Sequence, residues 1–302
     1  MCGQTPAPVT YEGLRDAALY NYGYLITWDN PQFREMTLYG RDAKPAYTVE
    51  EHKDGIYHAG WAVDSDGVAA AVYRVGQSWK GRIDLFDPSG KLTRTIDTGS
   101  YVSTHVVFAP DHTIWTAGYY AHNDGSQDFN VLHHYSRTGE ELGHALHWSE
   151  IAGDHNSYTA LQSLIGGRQL FVANDRIGFF VRSHYGQDTW VEVSFSGIVL
   201  GKYELAKSYE LCDAPVAMTA GGSVYAAVYK DERFAGWAEL DRSNHAWREL
   251  AGYPKGRIIG VEEENLVFSK REGATTVLQF VPTGSLTFDS AQQDTAELVA
   301  NP

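Results

Sequence analysis

Apolar and aromatic residues in this chain come in short runs, roughly four to eight long, and each run stops at Gly, Pro, Asn, Asp or a charged turn. The runs pair up around polar turns. Gly60-Trp61-Ala62-Val63-Asp64 and 68–73 flank Ser65-Asp66-Gly67. Runs 105–109 and 113–119 flank Pro110-Asp111-His112, and 169–173 and 177–182 flank Asn174-Asp175-Arg176. Gly221-Gly222 lies between 215–220 and 223–229, and Glu262-Glu263-Glu264 between 258–261 and 265–269. A looser pair, 15–19 and 23–27, precedes them all. Each pair reads as two short strands joined by a turn.

A third run follows each pair and ends near an aromatic residue or Leu. Taking Tyr39, Phe86, Tyr135, Phe195, Leu240 and Phe280 as marks, the spacings are 47, 49, 60, 45 and 40. A four-stranded propeller blade takes about 40–50 residues, so six marks predict six blades. Asp87-Pro88-Ser89-Gly90 and Ser136-Arg137-Thr138-Gly139 after two marks are hairpin turns, with a Gly that tolerates positive φ. Helical periodicity is nearly absent. The exception is 159–164, inside the long connection behind the spacing of 60. The expected fold is all-β, a six-bladed β-propeller of four-stranded antiparallel blades. Residues 1–9 form a tether, 10–290 the propeller and 291–302 a tail with a possible closing strand near Leu298. One blade cannot bury both faces of its sheet, so stacking in a ring makes the core lie between blades. Trp61, Phe86, Trp115, Tyr135 and Phe195 are expected there.

Composition narrows the function. The chain has 38 Asp+Glu against 24 Lys+Arg, a formal charge of −14. Phosphate binding needs clustered Lys and Arg, and no such run exists, so nucleic acid and anionic lipid are excluded as partners. No apolar stretch approaches the roughly 18 residues of a membrane helix, and no signal-peptide pattern is present. Met1-Cys2-Gly3-Gln4-Thr5-Pro6-Ala7-Pro8 has the look of a lipidated Cys on a polar tether. It points to a periplasmic or extracellular protein, the alternative being a cytoplasmic one with an incidental Cys. Only Cys2 and Cys212 are present, too few for a disulfide framework. A monomer is expected.

Blade two resembles an NHL repeat. Gly60-Trp61-Ala62-Val63-Asp64-Ser65-Asp66-Gly67-Val68, then Gly81-Arg82-Ile83-Asp84-Leu85-Phe86-Asp87-Pro88-Ser89-Gly90-Lys91-Leu92, follows that pattern. Blade three resembles a diverged copy through Phe108-Ala109-Pro110-Asp111 and Ile114-Trp115. The chain is similar as well to six-bladed bacterial propellers without an assigned activity, and its architecture is WD40-like. Ala71-Val72-Tyr73-Arg74 departs from the NHL pattern. The resemblance therefore implies an architecture and no particular ligand.

Candidate chemistry gathers on one rim. Residues just before each first strand and just after each second strand emerge there: His58, Arg74, His105, Tyr119, Tyr120, His122, Arg182, His184 and Tyr229. Such side chains combine apolar faces with polar tips and suit recognition. The first reading is a non-catalytic module that holds a small molecule, glycan or protein partner there, with no cofactor. The alternative is a metal-dependent hydrolase or lyase, with His58 and His105 aligned at the channel mouth around a divalent ion. The opposite rim carries tight turns that look too small to build a pocket. The connection 149–168 on the favoured rim is a candidate lid. No nucleophile elbow, phosphate loop or Cys-based metal motif is present.

Overall fold

A computed structural model describes residues 6–12, 14, 18–28, 35–40, 42–50, 56–76, 80–120, 128–152, 170–182, 188–205, 216–230 and 233–288. The chain opens with β1 (Val9–Glu12). Blade one is β2 (Ala18–Asn21), β3 (Tyr24–Trp28), β4 (Glu35–Tyr39) and β5 (Pro45–Glu50). Blade two is β6 (Ile56–Val63), β7 (Ala69–Val75), β8 (Lys80–Phe86) and β9 (Leu92–Gly99). Blade three is β10 (Tyr101–Phe108), β11 (Ile114–Tyr120), β12 (Asn130–Tyr135) and β13 (Glu141–His147), with the one-turn helix α1 (Trp148–Ala152) behind it. Blade four is β14 (Phe171–Val172), β15 (Arg176–Arg182), β16 (Asp188–Ser194) and β17 (Val199–Glu204). Blade five is β18 (Val216–Met218), β19 (Val224–Lys230), β20 (Arg233–Asp241) and β21 (Ala246–Gly252). Blade six has β22 (Arg257–Glu262), β23 (Asn265–Glu272) and β24 (Thr275–Pro282). The short β25 (Thr287–Phe288) then pairs outside β21.

The fourth strand of blade six is β1. It pairs antiparallel with β24 through Val9↔Leu278 to Glu12↔Thr275. The last blade is thus completed from the start of the chain. Residues 289–302, where a closing strand was expected near Leu298, lie outside the described residues, as does the expected helix at 159–164. The sequence did not signal α1 at Trp148–Ala152.

Six buried clusters lie between six pairs of neighbouring blades, and together they close a ring. Blades one and two share Met36, Leu38, Trp61 and Phe86. Blades two and three share Ile83, Leu85, Phe108 and Tyr135. Trp115, Val131, Phe179 and Val193 join blades three and four. Trp190, Tyr203, Val228 and Leu240 join four and five. Trp237, Tyr225, Phe268 and Leu266 join five and six. Tyr11, Tyr20, Leu25 and Phe280 join six and one. The molecule is a β-propeller whose core is the seams between blades.

Every mark residue falls on or beside a third strand, though not all at one level. Tyr39, Phe86 and Tyr135 pair with Leu25, Ala69 and Ile114, which stand just past their first turns. In blade four that level belongs to Val193, paired with Ile177, and in blade six to Val281, paired with Leu266. Phe195 sits beyond the end of its strand and is half-buried. It packs at the margin of the seam between blades three and four, a tilted neighbour of Trp115 at 6.2 Å. Trp61, Phe86, Trp115 and Tyr135 are buried as expected.

The turn chemistry repeats. After the third strands of blades two, three and four, Gly90, Gly139 and Gly197 take φ of 82°, 89° and 84°. Each donates its N–H to the residue three back: Asp87 at 2.8 Å, Ser136 at 3.0 Å and Ser194 at 2.9 Å. In blade one Ala43 takes that position with φ 61°. First-to-second and third-to-fourth turns lie on one rim, because antiparallel strands return there. Second-to-third loops and the connections between blades lie on the other.

Candidate functional site

A cavity of about 240 Å³ occupies the axis of the ring, and every blade contributes to its wall. The apolar lining includes Leu19, Ala62, Val106, Phe171, Met218 and Val261, one from each blade. Inner strands can line a narrow axis because their side chains alternate into the two flanking seams. What faces the axis is backbone and the near parts of side chains. Gly260 shows how tight this is: a Cβ there would collide with the Tyr20 carbonyl on β2. That contact lies where β2 and β22 meet in a parallel pairing, Tyr20↔Gly260.

The cavity reaches the tight-turn rim. Asn21 and Tyr22 from the β2–β3 turn, Ala220 from the β18–β19 turn and Glu262 and Glu263 from the β22–β23 turn border it there. The expectation that this rim builds no pocket is corrected: each turn is small, but the β2–β3, β18–β19 and β22–β23 turns together border one opening. Burial pushes the Tyr22 phenol pKa up, with Asp64 adding to the rise, so Tyr22 is a neutral hydroxyl at ordinary pH.

Ion pairs between blades stiffen this rim. The Arg137 guanidinium, in the third-to-fourth turn of blade three, reaches back to Asp64 and to both carboxylate oxygens of Asp66 in blade two. His112 Nδ1 lies 2.9 Å from the same Asp64 carboxylate. Between blades four and five, fully buried Glu192 accepts from Trp190 Nε1 at 2.9 Å, Arg176 at 3.0 Å and Arg242 at 2.9 and 2.5 Å. Burial opposes charging Glu192, yet the hydrogen bonds from Arg242 and Trp190 and the nearby cations hold its pKa below the usual carboxylate range. Between blades five and six, Gly221 N donates to Glu264 Oε1 at 2.7 Å. Sequence reading missed the Glu192 group. Its signal was a Trp and a Glu two apart on one strand, which places both on one face.

The residues expected on the loop rim are placed as follows. His122 and His184 lie outside the described residues. So do the side chains of His58 and Arg182, although the backbones belong to β6 and β15. Arg74 and Tyr229 are half-buried near the ends of the second strands β7 and β19. Tyr229 meets Phe234 edge-on at 5.8 Å. Tyr119 is 4% exposed and belongs to the seam between blades three and four. Half-buried Tyr120 packs against Tyr101 at 5.6 Å and brings its hydroxyl 3.5 Å from His133 Nε2.

His105 is 9% exposed on β10, with Thr104 Oγ1 2.8 Å from its Nδ1. Thr104 gives its own proton to the Ala117 carbonyl at 3.2 Å, which leaves Nδ1 as the donor of the pair. Both inner strands carry a bulge. β6 shifts between His58 and Gly60, and β10 between Ser103 and His105. The residue beside His105 is Gly60, whose Cβ position would lie 3.5 Å from the His105 Cα. By backbone register His58, paired with Tyr73, is level with Ser103, paired with Gly118, so the expected alignment of positions 58 and 105 is corrected by two residues. Among the described residues no group of three His, Cys, Asp or Glu converges as metal ligands.

Blade three holds one further polar cluster. His133 stacks on Tyr101 at 3.7 Å and lies 2.9 Å from Glu141 through Nδ1. Burial pushes its pKa down and the Glu141 charge opposes that shift only in part. His133 is a neutral core imidazole.

No protein-family model matches the sequence, and no curated protein matches it. Solved structures do. A protein of unknown function from Bacteroides caccae superposes with a TM-score of 0.51 at 11% identity, covering 89% of this chain and 94% of that one. A candidate exported protein from Bacteroides fragilis superposes with a TM-score of 0.54 at 8% identity, covering 94% and 95%. The propeller of Dos1 gives 0.47 at 9% identity over 86% and 76%. Identities this low carry the fold alone. Among the described residues no helix is long and apolar enough to cross a membrane.

Proposed function

We propose that the chain is a non-catalytic binding module whose ligand, a small molecule, occupies the axial channel. The observation that carries this reading is the cavity of about 240 Å³ walled by all six blades, with polar groups at its mouth. Concave, mainly apolar sites with a few convergent polar groups are where small ligands bind. The volume suits a small molecule. A glycan or a protein would have to dock across a rim. The rim of tight turns is braced by ion pairs between blades, so the mouth is formed before a ligand arrives and little ordering is needed on binding. The loop-rim residues His58, Arg74, His105, Tyr120, His122, Arg182, His184 and Tyr229 are proposed as a second approach to the same axis. The NHL-like pattern of blades two and three enters this proposal as architecture only. Location outside the cytoplasm belongs to the same proposal, supported by the description of the Bacteroides fragilis protein.

The test is a thermal-shift screen of a small-molecule panel against three proteins: the natural chain, Ala220→Trp and His105→Ala/Tyr120→Ala. Ala220 is a half-buried turn residue at the mouth, and a Trp there plugs the channel. A ligand at 100 times its Kd stabilises by about 2.7 kcal/mol. The plug should abolish that stabilisation and the loop-rim pair should leave it intact. The opposite result would place the ligand on the loop rim.

A further inference from the structure

Blade three carries a titratable cluster whose residues are not among those that line the channel. Tyr101 stands on β10, Tyr120 on β11, His133 and Tyr135 on β12, and Glu141 and His144 on β13. Tyr101 pairs with Tyr120, and His133 with His144. Residues paired across strands share a face of the sheet. The Tyr101 ring stacks on the His133 imidazole at 3.7 Å, and its own hydroxyl donates to the Val131 carbonyl at 2.8 Å. That anchor fixes the plane of the imidazole.

The two nitrogens of His133 meet different partners. Nδ1 lies 2.9 Å from Glu141 Oε1, with the Tyr135 hydroxyl farther off at 3.4 Å. A carboxylate only accepts, so Nδ1 carries the proton and Nε2 keeps a bare lone pair. The Tyr120 hydroxyl stands 3.5 Å from that lone pair. Hydrogen bonds of this kind run long until a substrate is bound. Of the three phenols, Tyr101 and Tyr135 are buried and Tyr120 is half-buried. Burial raises the Tyr120 pKa and the Glu141 charge adds to the rise, so the phenol is not reactive through its own acidity. An adjacent base activates such a group, and a third group orients the base.

We propose that Tyr120 is a nucleophile that takes the acyl group of activated carboxylic esters, with His133 as its base and Glu141 as the positioning residue. In the step, Tyr120 Oη bonds to the ester carbonyl carbon while its proton moves to His133 Nε2. The tetrahedral adduct then collapses. The bond from carbon to the leaving oxygen breaks, and that oxygen takes the proton from His133. The products are acylated Tyr120 and a free alcohol or phenol. Between the two transfers Glu141 stabilises the imidazolium, and His144, 5.8 Å away between ring centroids, opposes it.

The test incubates the full chain with p-nitrophenyl acetate and follows acetylation residue by residue by mass spectrometry. Half-buried Tyr253, packed on Phe234 at 6.3 Å, is the reference. A positioned base contributes about 10²–10⁴-fold, so Tyr120 should react at least about tenfold faster than Tyr253 near pH 7.5. The pH profile separates an activated phenol from an ordinary one. Below its pKa near 10, a free phenol gains about tenfold in phenolate, and in rate, per pH unit. Burial holds His133 below its ordinary 6.5, against the pull of Glu141. The base is therefore neutral throughout, and the Tyr120 rate should stay level from about pH 7.5 to 9. His133→Gln should bring Tyr120 down to the rate of Tyr253 and restore the slope. Glu141→Gln should slow Tyr120 at least about tenfold. Glu141 is exposed, so this variant keeps the fold and decides the matter if the buried substitution His133→Gln does not. Equal rates for Tyr120 and Tyr253, a tenfold slope per pH unit at Tyr120 in the natural chain, or a Tyr120 rate unchanged in Glu141→Gln overturns the proposal.

Discussion

Glu192 shows how a single buried charge is held in this protein. Its carboxylate is inaccessible to water and meets two guanidinium groups and the Trp190 indole N–H. Removing one partner of such a group leaves charge uncompensated in the interior, which costs about 3–5 kcal/mol in comparable cases. Arg176 stays behind in Arg242→Ala, so the loss expected from urea unfolding is at the low end, about 3 kcal/mol. The pH dependence follows from the lowered pKa. A carboxylate with a folded pKa below its unfolded one stabilises fully above the unfolded value, near 4.5. That contribution disappears as pH falls through the lowered folded value. Melting temperature should therefore drop below pH 4.5 by less in Glu192→Gln than in the natural chain. Trp115 is the apolar counterpart. It is 2% exposed in the seam of blades three and four and stacks on His134 at 4.2 Å. Cutting it to Ala should cost about 3–5 kcal/mol. A cost below about 0.5 kcal/mol, as at an exposed site, would contradict the seam described here.

Among the elements, β1 has the most to do per residue. Four residues complete blade six, and Tyr11 fills the seam with blade one. Tyr11 is 1% exposed, and burial, with help from Asp42, pushes its phenol up to about 12. It stays neutral and packs as a large apolar group. Tyr11→Ala should cost about 3–5 kcal/mol and should raise amide exchange first in β24 and β2, the strands that flank the closure. The repeated third-to-fourth turns give a smaller, local prediction. Gly139→Ala puts an L-residue at φ 89° and should cost about 1–2 kcal/mol, read as a lower urea midpoint with an unchanged slope. The equivalent Ala43 in blade one already bears such a strain at φ 61°, so Ala43→Gly should be neutral or stabilising.

At the scale of the whole molecule, six seams close on themselves, and no blade has a complete core of its own. Loss of one blade uncovers a face on each neighbour, so unfolding should be a single cooperative event despite the length of the chain. Tryptophan fluorescence, which samples Trp115, Trp190 and Trp237 in three successive seams, should report the same urea midpoint as far-UV circular dichroism. Separate midpoints would mean that blades detach as independent units.

Legibility in the sequence followed the range of the physics. Strand length, turn type and the repeat of about 40–60 residues come from local choices of apolar, glycine and turn residues, so the six blades could be read from the chain and their tight turns placed on one rim. Trp61, Phe86, Trp115 and Tyr135 were recognisable as seam residues because alternation on a strand places every second side chain on a packed face. Phe195 misled as a mark because it lies past the end of β16, and aromatic identity alone does not give a pairing level. Facts that depend on how blades meet were invisible. The first strand and the last blade are more than 260 residues apart, and no local pattern states that Val9–Glu12 will close the ring. The channel mouth is likewise a property of the closed ring. Asn21, Tyr22, Ala220, Glu262 and Glu263 each sit in an ordinary turn, and only ring closure brings those turns around one axis.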